Sequence, residues 1–148
     1  MEGKIIIVGA TGYTGSALAK LLKKENIDCH LIGRNESELQ KLANETGQSF
    51  SVCSNVSDEQ SVNESLSSIA NDKILGFAYC VGSIVLKSFQ TTKSEDFINT
   101  FNLNVTGAIL FIKKLQRQLA ENNGSIVLFS TVAVDRGFNM HSVISTAK

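Results

Sequence analysis

The sequence predicts an α/β domain built on a doubly wound parallel sheet, and three observations predict it. Five short apolar runs lie along the 148 residues. Stretches with apolar residues at helical spacing separate them, and a glycine-rich turn follows the first run. Runs that are apolar throughout and joined by helix-length crossovers belong to strands covered on both faces, because each right-handed crossover lays its helix against the sheet.

The runs are KIIIVG (4–9), CHLIG (29–33), SFSVC (49–53), ILGFAYC (74–80) and SIVLFS (125–130). Helical spacing covers 13–25, 36–46, 58–70 and 94–121, and a last helix starts near residue 139. In the fourth of these, Phe97, Phe101, Val105, Ala108, Ile112, Leu115 and Leu119 predict one continuous apolar stripe. Proline is absent, which removes the usual helix stops. No repeat, low-complexity tract or linker interrupts the pattern, so residues 1–148 are expected to form one domain.

Composition excludes several classes of function. With 14 basic and 14 acidic residues and a formal charge of zero, there is no electrostatic footprint for nucleic acid or an anionic membrane surface. No apolar run approaches a membrane span, and Met1 leads directly into IIIVG rather than into a cleavable signal. A cytoplasmic protein with a small-molecule partner is the expectation. Cys29, Cys53 and Cys80 are an odd number, far apart, in apolar segments, and read as reduced core thiols. The N-x-[ST] triplets at Asn35, Asn44, Asn55, Asn63, Asn104 and Asn123 lack a secretory signal and read as unmodified.

The turn G-A-T-G-Y-T-G spans 9–15, between the first strand and the first helix. There the backbone N–H groups of a helix N-terminus are free, and missing side chains let an anion approach. Gly9, Gly12 and Gly15 serve the turn, the approach and the helix–strand packing, with Thr11, Tyr13 and Thr14 between them. Pyrophosphate binding by a Rossmann-type NAD(P) domain is the expectation. No lysine follows Gly15 as a mononucleotide P-loop requires.

The second strand ends Gly33-Arg34-Asn35, without the carboxylate that would accept from a ribose 2′-hydroxyl. Arg34 offers a guanidinium for a 2′-phosphate, so NADP is expected over NAD. Glu36 and Glu38 fall in the first turn of the next helix, where acids complement the helix dipole.

With these features in place, the sequence resembles the short-chain dehydrogenase/reductase family along its whole length. The glycine loop resembles that of the family's extended and atypical branches. N-V-S-D at 55–58 resembles the family's D-V-[ST]-D, which brackets the adenine, and places Asn55 and Val56 there. C-V-G at 80–82 stands where the family has N-A-G, placing Cys80 and Gly82 at the cofactor. N-V-T-G at 104–107 matches the family's catalytic-helix asparagine.

G-S-I-V-L-F-S-T at 124–131 resembles the fifth strand with its terminal serines, and HSVISTAK the helix of the Y-x-x-x-K motif. The resemblance implies a tetrad of Asn104, Thr131, Ile144 and Lys148, in which Ile144 replaces the proton-donating tyrosine. An isoleucine cannot donate a proton or stabilise an oxyanion. Related enoyl reductases place their tyrosine seven residues before the lysine, which here is His141, one helical turn from Ile144. Thr131 is then a substrate-orienting hydroxyl or a cap of its strand, with Ser130 as fallback, and Asn104 a catalytic relay or a structural bridge. Lys148 is expected to contact the ribose.

Two functions are consistent with this. One is an NADP-dependent oxidoreductase acting on a carbonyl, hydroxyl or enoyl substrate with a non-standard proton donor. The other is a non-catalytic NADP(H)-binding module. The usual six-strand dinucleotide fold lacks its last strand here, so the chain is expected to be the N-terminal part of a longer protein, homo-oligomeric when whole.

Overall fold

The computed structural model describes residues 3–148. Its strands are β1 (Lys4–Val8), β2 (Cys29–Gly33), β3 (Ser49–Val52), β4 (Ile74–Tyr79) and β5 (Ser125–Leu128). They form one sheet in the order β3-β2-β1-β4-β5, and every pairing is parallel. Chain order reverses between β1 and β4, the switch point at which open α/β sheets bind ligands beyond the carboxyl ends of their strands.

The helices are α1 (Tyr13–Lys24), α2 (Glu36–Thr46), α3 (Glu59–Leu66), α4 (Ser94–Phe101), α5 (Gly107–Glu121) and α6 (Ser142–Ser145). Alternation along β1 divides the core between the two sheet faces. Ile6 and Val8 pack with Phe77, Phe111 and Leu115 in one cluster, and Ile7 packs with Ala19, Leu22, Leu39 and Leu42 in the other. Cys29 and Cys53 are buried and Cys80 half-buried, all as free thiols. Strand β5 stands at the sheet edge with all four residues exposed. Among the described residues, no helix is long and apolar enough to cross a membrane.

Two helices differ from the sequence pattern. The stretch 94–121 is not one regular helix: α4 passes through a π-helical turn, Asn102–Thr106, before α5 begins. The extra residue rotates α5 by about 100° relative to α4. The buried line runs through Thr100, Asn104, Gly107, Ala108, Phe111, Leu115 and Leu119, while Phe101 is 48% exposed. The stripe expected through Phe97, Phe101 and Val105 is broken there.

The last helix is also shorter than the pattern implies, spanning only Ser142–Ser145 after a turn in which Met140 takes a positive φ of 65°. Ser145 Oγ donates to the His141 carbonyl and Thr146 Oγ1 to that of Val143. Side chains that bond the preceding turn in this way compete with the helix.

Candidate functional site

A cleft of about 520 Å³ opens at the carboxyl ends of β1, β2 and β4. Its lining brings together Gly9, Thr11, Gly12, Arg34, Asn35, Val56, Cys80 and Gly82, all expected there from the sequence. A hollow of about 580 Å³ between α3 and α5 lies at the opposite end of the sheet and holds none of these residues.

The glycine turn is built by close contacts. Gly9 has φ +80°, and a Cβ on it would lie 2.9 Å from the Cys80 carbonyl carbon and the Val81 nitrogen. The Gly9 and Ala10 N–H groups both donate to the Ile32 carbonyl, at 2.8 and 3.0 Å, which ties the turn to β2. A Cβ on Gly15 would collide with the Gly9 carbonyl oxygen, so Gly15 lets α1 pack on the turn. Gly12 differs, because a Cβ there would meet only the Gly9 oxygen, at 3.3 Å. It is the N-cap of α1, no side chain caps the helix, and no acid lies in the first turn. Helix N–H groups without a capping side chain, beside an open glycine, form a ready anion site. Tyr13, 95% exposed, and Thr14 are expected at the cofactor from the sequence but do not line the cleft.

At the tip of β2, Arg34 is exposed and, among the described residues, forms no ion pair. Asn35 caps α2, its side chain accepting from the Glu38 N–H at 3.2 Å. Glu38 lines the same cleft. Beyond β3, Val56 lines the cleft and Asn55 does not; Asn55 Oδ1 instead accepts from the Ser57 N–H at 3.0 Å.

Gly82 joins the cleft to two further polar groups. A Cβ at Gly82 would lie 3.2 Å from Asn104 Oδ1 and 3.4 Å from Lys148 Nζ. Asn104 is 7% exposed; its Nδ2 donates to the Thr100 carbonyl at 2.8 Å, and its Oδ1 has no protein partner. Burial pulls the Lys148 ammonium below the ordinary lysine range, an effect opposed by the neighbouring Cys80. Burial also raises the Cys80 thiol, opposed by Lys148.

The remaining candidates sit apart from the cleft. Thr131 Oγ1 accepts from the Ala133 N–H at 3.3 Å, a local cap. Ile144 is buried at 3% exposure. His141 Nδ1 lies 2.7 Å from the Asn139 carbonyl and its ring 5.5 Å from that of Phe138. Because a carbonyl only accepts, Nδ1 carries a proton and Nε2 is the free nitrogen. Beside these residues is a cavity of about 700 Å³, walled by Phe89, Val134, Phe138 and Met140, with Ala133, Ser142 and Ser145 at its base. The Lys87 N–H donates to the Met140 carbonyl at 3.2 Å and ties its two loops together.

The sequence profile described as short chain dehydrogenase matches residues 3–148. The chain belongs to the short-chain dehydrogenases. It is 25% identical over 146 residues to carbonyl reductase family member 4 of Xenopus laevis, covering 96% of this chain and 61% of that protein. To a 3-oxoacyl-[acyl-carrier-protein] reductase of Rickettsia typhi it is 28% identical over 131 residues, 86% of this chain and 53% of the relative. This short-chain dehydrogenase chain thus spans between half and two thirds of the length of these relatives. In fold it matches an actinorhodin polyketide ketoreductase crystallised with NADPH at TM-score 0.90 and 17% identity, covering 99% of this chain and 59% of the other.

The cleft of this short-chain dehydrogenase also contains residues that the motifs did not single out, among them Glu38, Ser83 and Leu103. Ser83 directly follows C-V-G and was open to inference from that position. Leu103 reaches the cleft from the π turn, which leaves no mark on apolar periodicity.

Proposed function

We propose that this protein is an NADP-dependent oxidoreductase that moves a hydride to or from a carbonyl, hydroxyl or enoyl substrate, with a non-standard proton donor. The observation that carries the reading is the approach of Asn104 Oδ1 and Lys148 Nζ to Gly82, at the end of a cleft whose other walls are the glycine turn and Arg34. The site fits the cofactor on its own chemistry. Gly12 leaves open the space before an uncapped helix N-terminus, where a pyrophosphate would be held. Arg34 would take the 2′-phosphate and Val56 the adenine edge. When bound, NADP(H) supplies or accepts the hydride.

In this reading the side chains do the rest. Lys148 binds the ribose, and Asn104 offers a buried acceptor toward that ammonium. Thr131, released from its local cap, orients the substrate oxygen. His141 supplies the proton that accompanies the hydride when a carbonyl is reduced to an alcohol. Its Nε2 can do this only when the ring carries both protons, because Nδ1–H is given to Asn139. The cavity beside Thr131 has no charged side chain in its lining and suits an uncharged, largely apolar substrate group. By the same reading the protein is a cytoplasmic single domain, and a homo-oligomer when whole.

A second reading, a cofactor-binding module without turnover, is favoured by two observations: Ile144 is buried where the family has its tyrosine, and His141 does not line the cleft. The two are separated by a turnover screen of the full-length protein with NADPH and neutral aldehydes, ketones and enoyl thioesters. Turnover abolished by His141→Ala supports the enzyme. NADPH binding without turnover on any acceptor supports the module.

A further inference from the structure

The π turn at Asn102–Thr106 is held from outside the helix at two successive carbonyl oxygens. Ser57 Oγ donates to the Asn102 carbonyl at 2.9 Å, and Tyr79 Oη donates to the Leu103 carbonyl at 2.6 Å. The Asn102 oxygen also receives the Gly107 N–H, five residues on, which is the bond that defines the widened turn. Both donors come from segments next to the cofactor cleft: Ser57 follows Val56, and Tyr79 precedes Cys80.

Tyr79 has no freedom to do otherwise. It is 2% exposed, and its ring lies 6.2 Å from that of Phe77 and 6.4 Å from that of Phe111. A Cβ on Gly107 would collide with its hydroxyl, so the glycine that opens α5 is what admits the phenol. Burial raises the phenol well above the ordinary tyrosine range, so it stays a neutral donor. The next residue after Leu103 is Asn104, whose amide nitrogen is tied to Thr100 and whose Oδ1 is left without a partner near Gly82 and Lys148.

We propose that Tyr79, assisted by Ser57, is a positioning residue that holds the π turn in the register that directs Asn104 Oδ1 toward Gly82 and Lys148. Without the turn's extra residue, the chain on one side of Asn104 would be rotated by about 100° relative to the other. Asn104 sits at the middle of that turn, so a change of register there redirects its side chain. The inference rests on the proposed role of Asn104 and Lys148 in an oxidoreductase site, but its structural part can be read without turnover.

The test uses the whole chain with Tyr79→Phe and, separately, Ser57→Ala. The Asn104 side-chain amide is followed by ¹⁵N NMR and assigned by its loss in Asn104→Asp. In Tyr79→Phe the amide pair is expected to shift and the Gly107 N–H to exchange at least tenfold faster, while the NADPH dissociation constant changes less than twofold. Where turnover is measurable, kcat falls at least fivefold at unchanged cofactor KM. Ser57→Ala moves the same signals in the same direction and decides the matter if Tyr79→Phe does not fold. An Asn104 amide that keeps its wild-type position in the folded variants overturns the assignment, even if they melt at lower temperature. Failure of the wild-type protein to bind either nicotinamide cofactor would remove the proposed function and leave the NMR comparison of the variants intact.

Discussion

Asn104 Oδ1 and Lys148 Nζ converge on one point, the place a Cβ on Gly82 would occupy, 3.2 Å from the first and 3.4 Å from the second. Gly82→Ala puts a methyl group there. The backbone needs no left-handed conformation at Gly82, so the fold should tolerate the change at a cost below about 1 kcal/mol. The NADPH dissociation constant should nevertheless rise at least tenfold. Calorimetric titration beside a thermal melt checks both halves, and wild-type affinity in the variant would separate this point from the cofactor.

The glycines of the first turn should divide by role. Gly15→Ala forces a Cβ onto the Gly9 carbonyl, and overpacking against backbone should cost ~1–3 kcal/mol or more. Gly12→Ala meets only one oxygen at 3.3 Å and should cost less than about 1 kcal/mol, yet block the anion's approach. Urea unfolding and cofactor titration of the pair should show Gly15→Ala unstable, and Gly12→Ala stable but unable to bind.

Restoring the family's residue tests the substrate side. Ile144 is 3% exposed, so Ile144→Tyr should cost ~1–3 kcal/mol through overpacking. If the ring's hydroxyl reaches the cleft, NADPH turnover on a neutral ketone should rise on the order of a hundredfold, the usual worth of a placed general acid. A folded, cofactor-binding variant with no gain would mean that position 144 does not face the substrate.

Acid sensitivity should come from His30, which is far in sequence from every site residue of the last strand and helix. It is buried at 1% exposure, with Nδ1 2.8 Å from Ser49 Oγ and Nε2 2.9 Å from Ser51 Oγ. Ser51 Oγ donates to the Ser65 carbonyl, so Nε2 carries the ring proton and Nδ1 accepts from Ser49. Burial lowers its pKa to about 4, with Lys4 adding to the effect and Asp72 opposing it. Between about pH 6.5 and 4 the unfolded chain binds a proton that the folded one refuses, so this stability is present above pH 6.5 and lost on acidification. The loss should approach ~3 kcal/mol. Urea midpoints at pH 7, 5.5 and 4.5 should fall in step, and His30→Gln should flatten the trend.

Much of the fold could be read from the residues because Ile6, Ile7, Val8, Leu31 and Ile32 belong to strands buried on both faces, and such strands appear as unbroken apolar runs. The glycine turn was readable for a related reason: Gly9 and Gly15 sit where backbone leaves no room for a Cβ. The π turn was hidden because the buried positions Thr100, Asn104, Ala108, Phe111 and Leu115 keep the spacing of an ordinary helical face, so an extra residue leaves no trace in it. Glu38 was visible but explained by the dipole of α2, and only the fold shows that it also lines the cleft. The shortness of α6 follows from side-chain bonds to its own backbone, which periodicity does not register.

The central claim is that the cleft along Gly9, Gly12, Arg34 and Gly82 holds NADP(H). The chain has no tryptophan, so the emission of a reduced nicotinamide cofactor can be followed without interference from indole. Titration of the full-length protein with NADPH and NADH, repeated with Arg34→Ala, tests the claim most directly. The expected result is saturable NADPH binding at least tenfold tighter than NADH, with the preference erased in Arg34→Ala. Equal binding that survives the substitution would assign the rim to Glu38 and NAD, and no binding of either cofactor would contradict the claim outright.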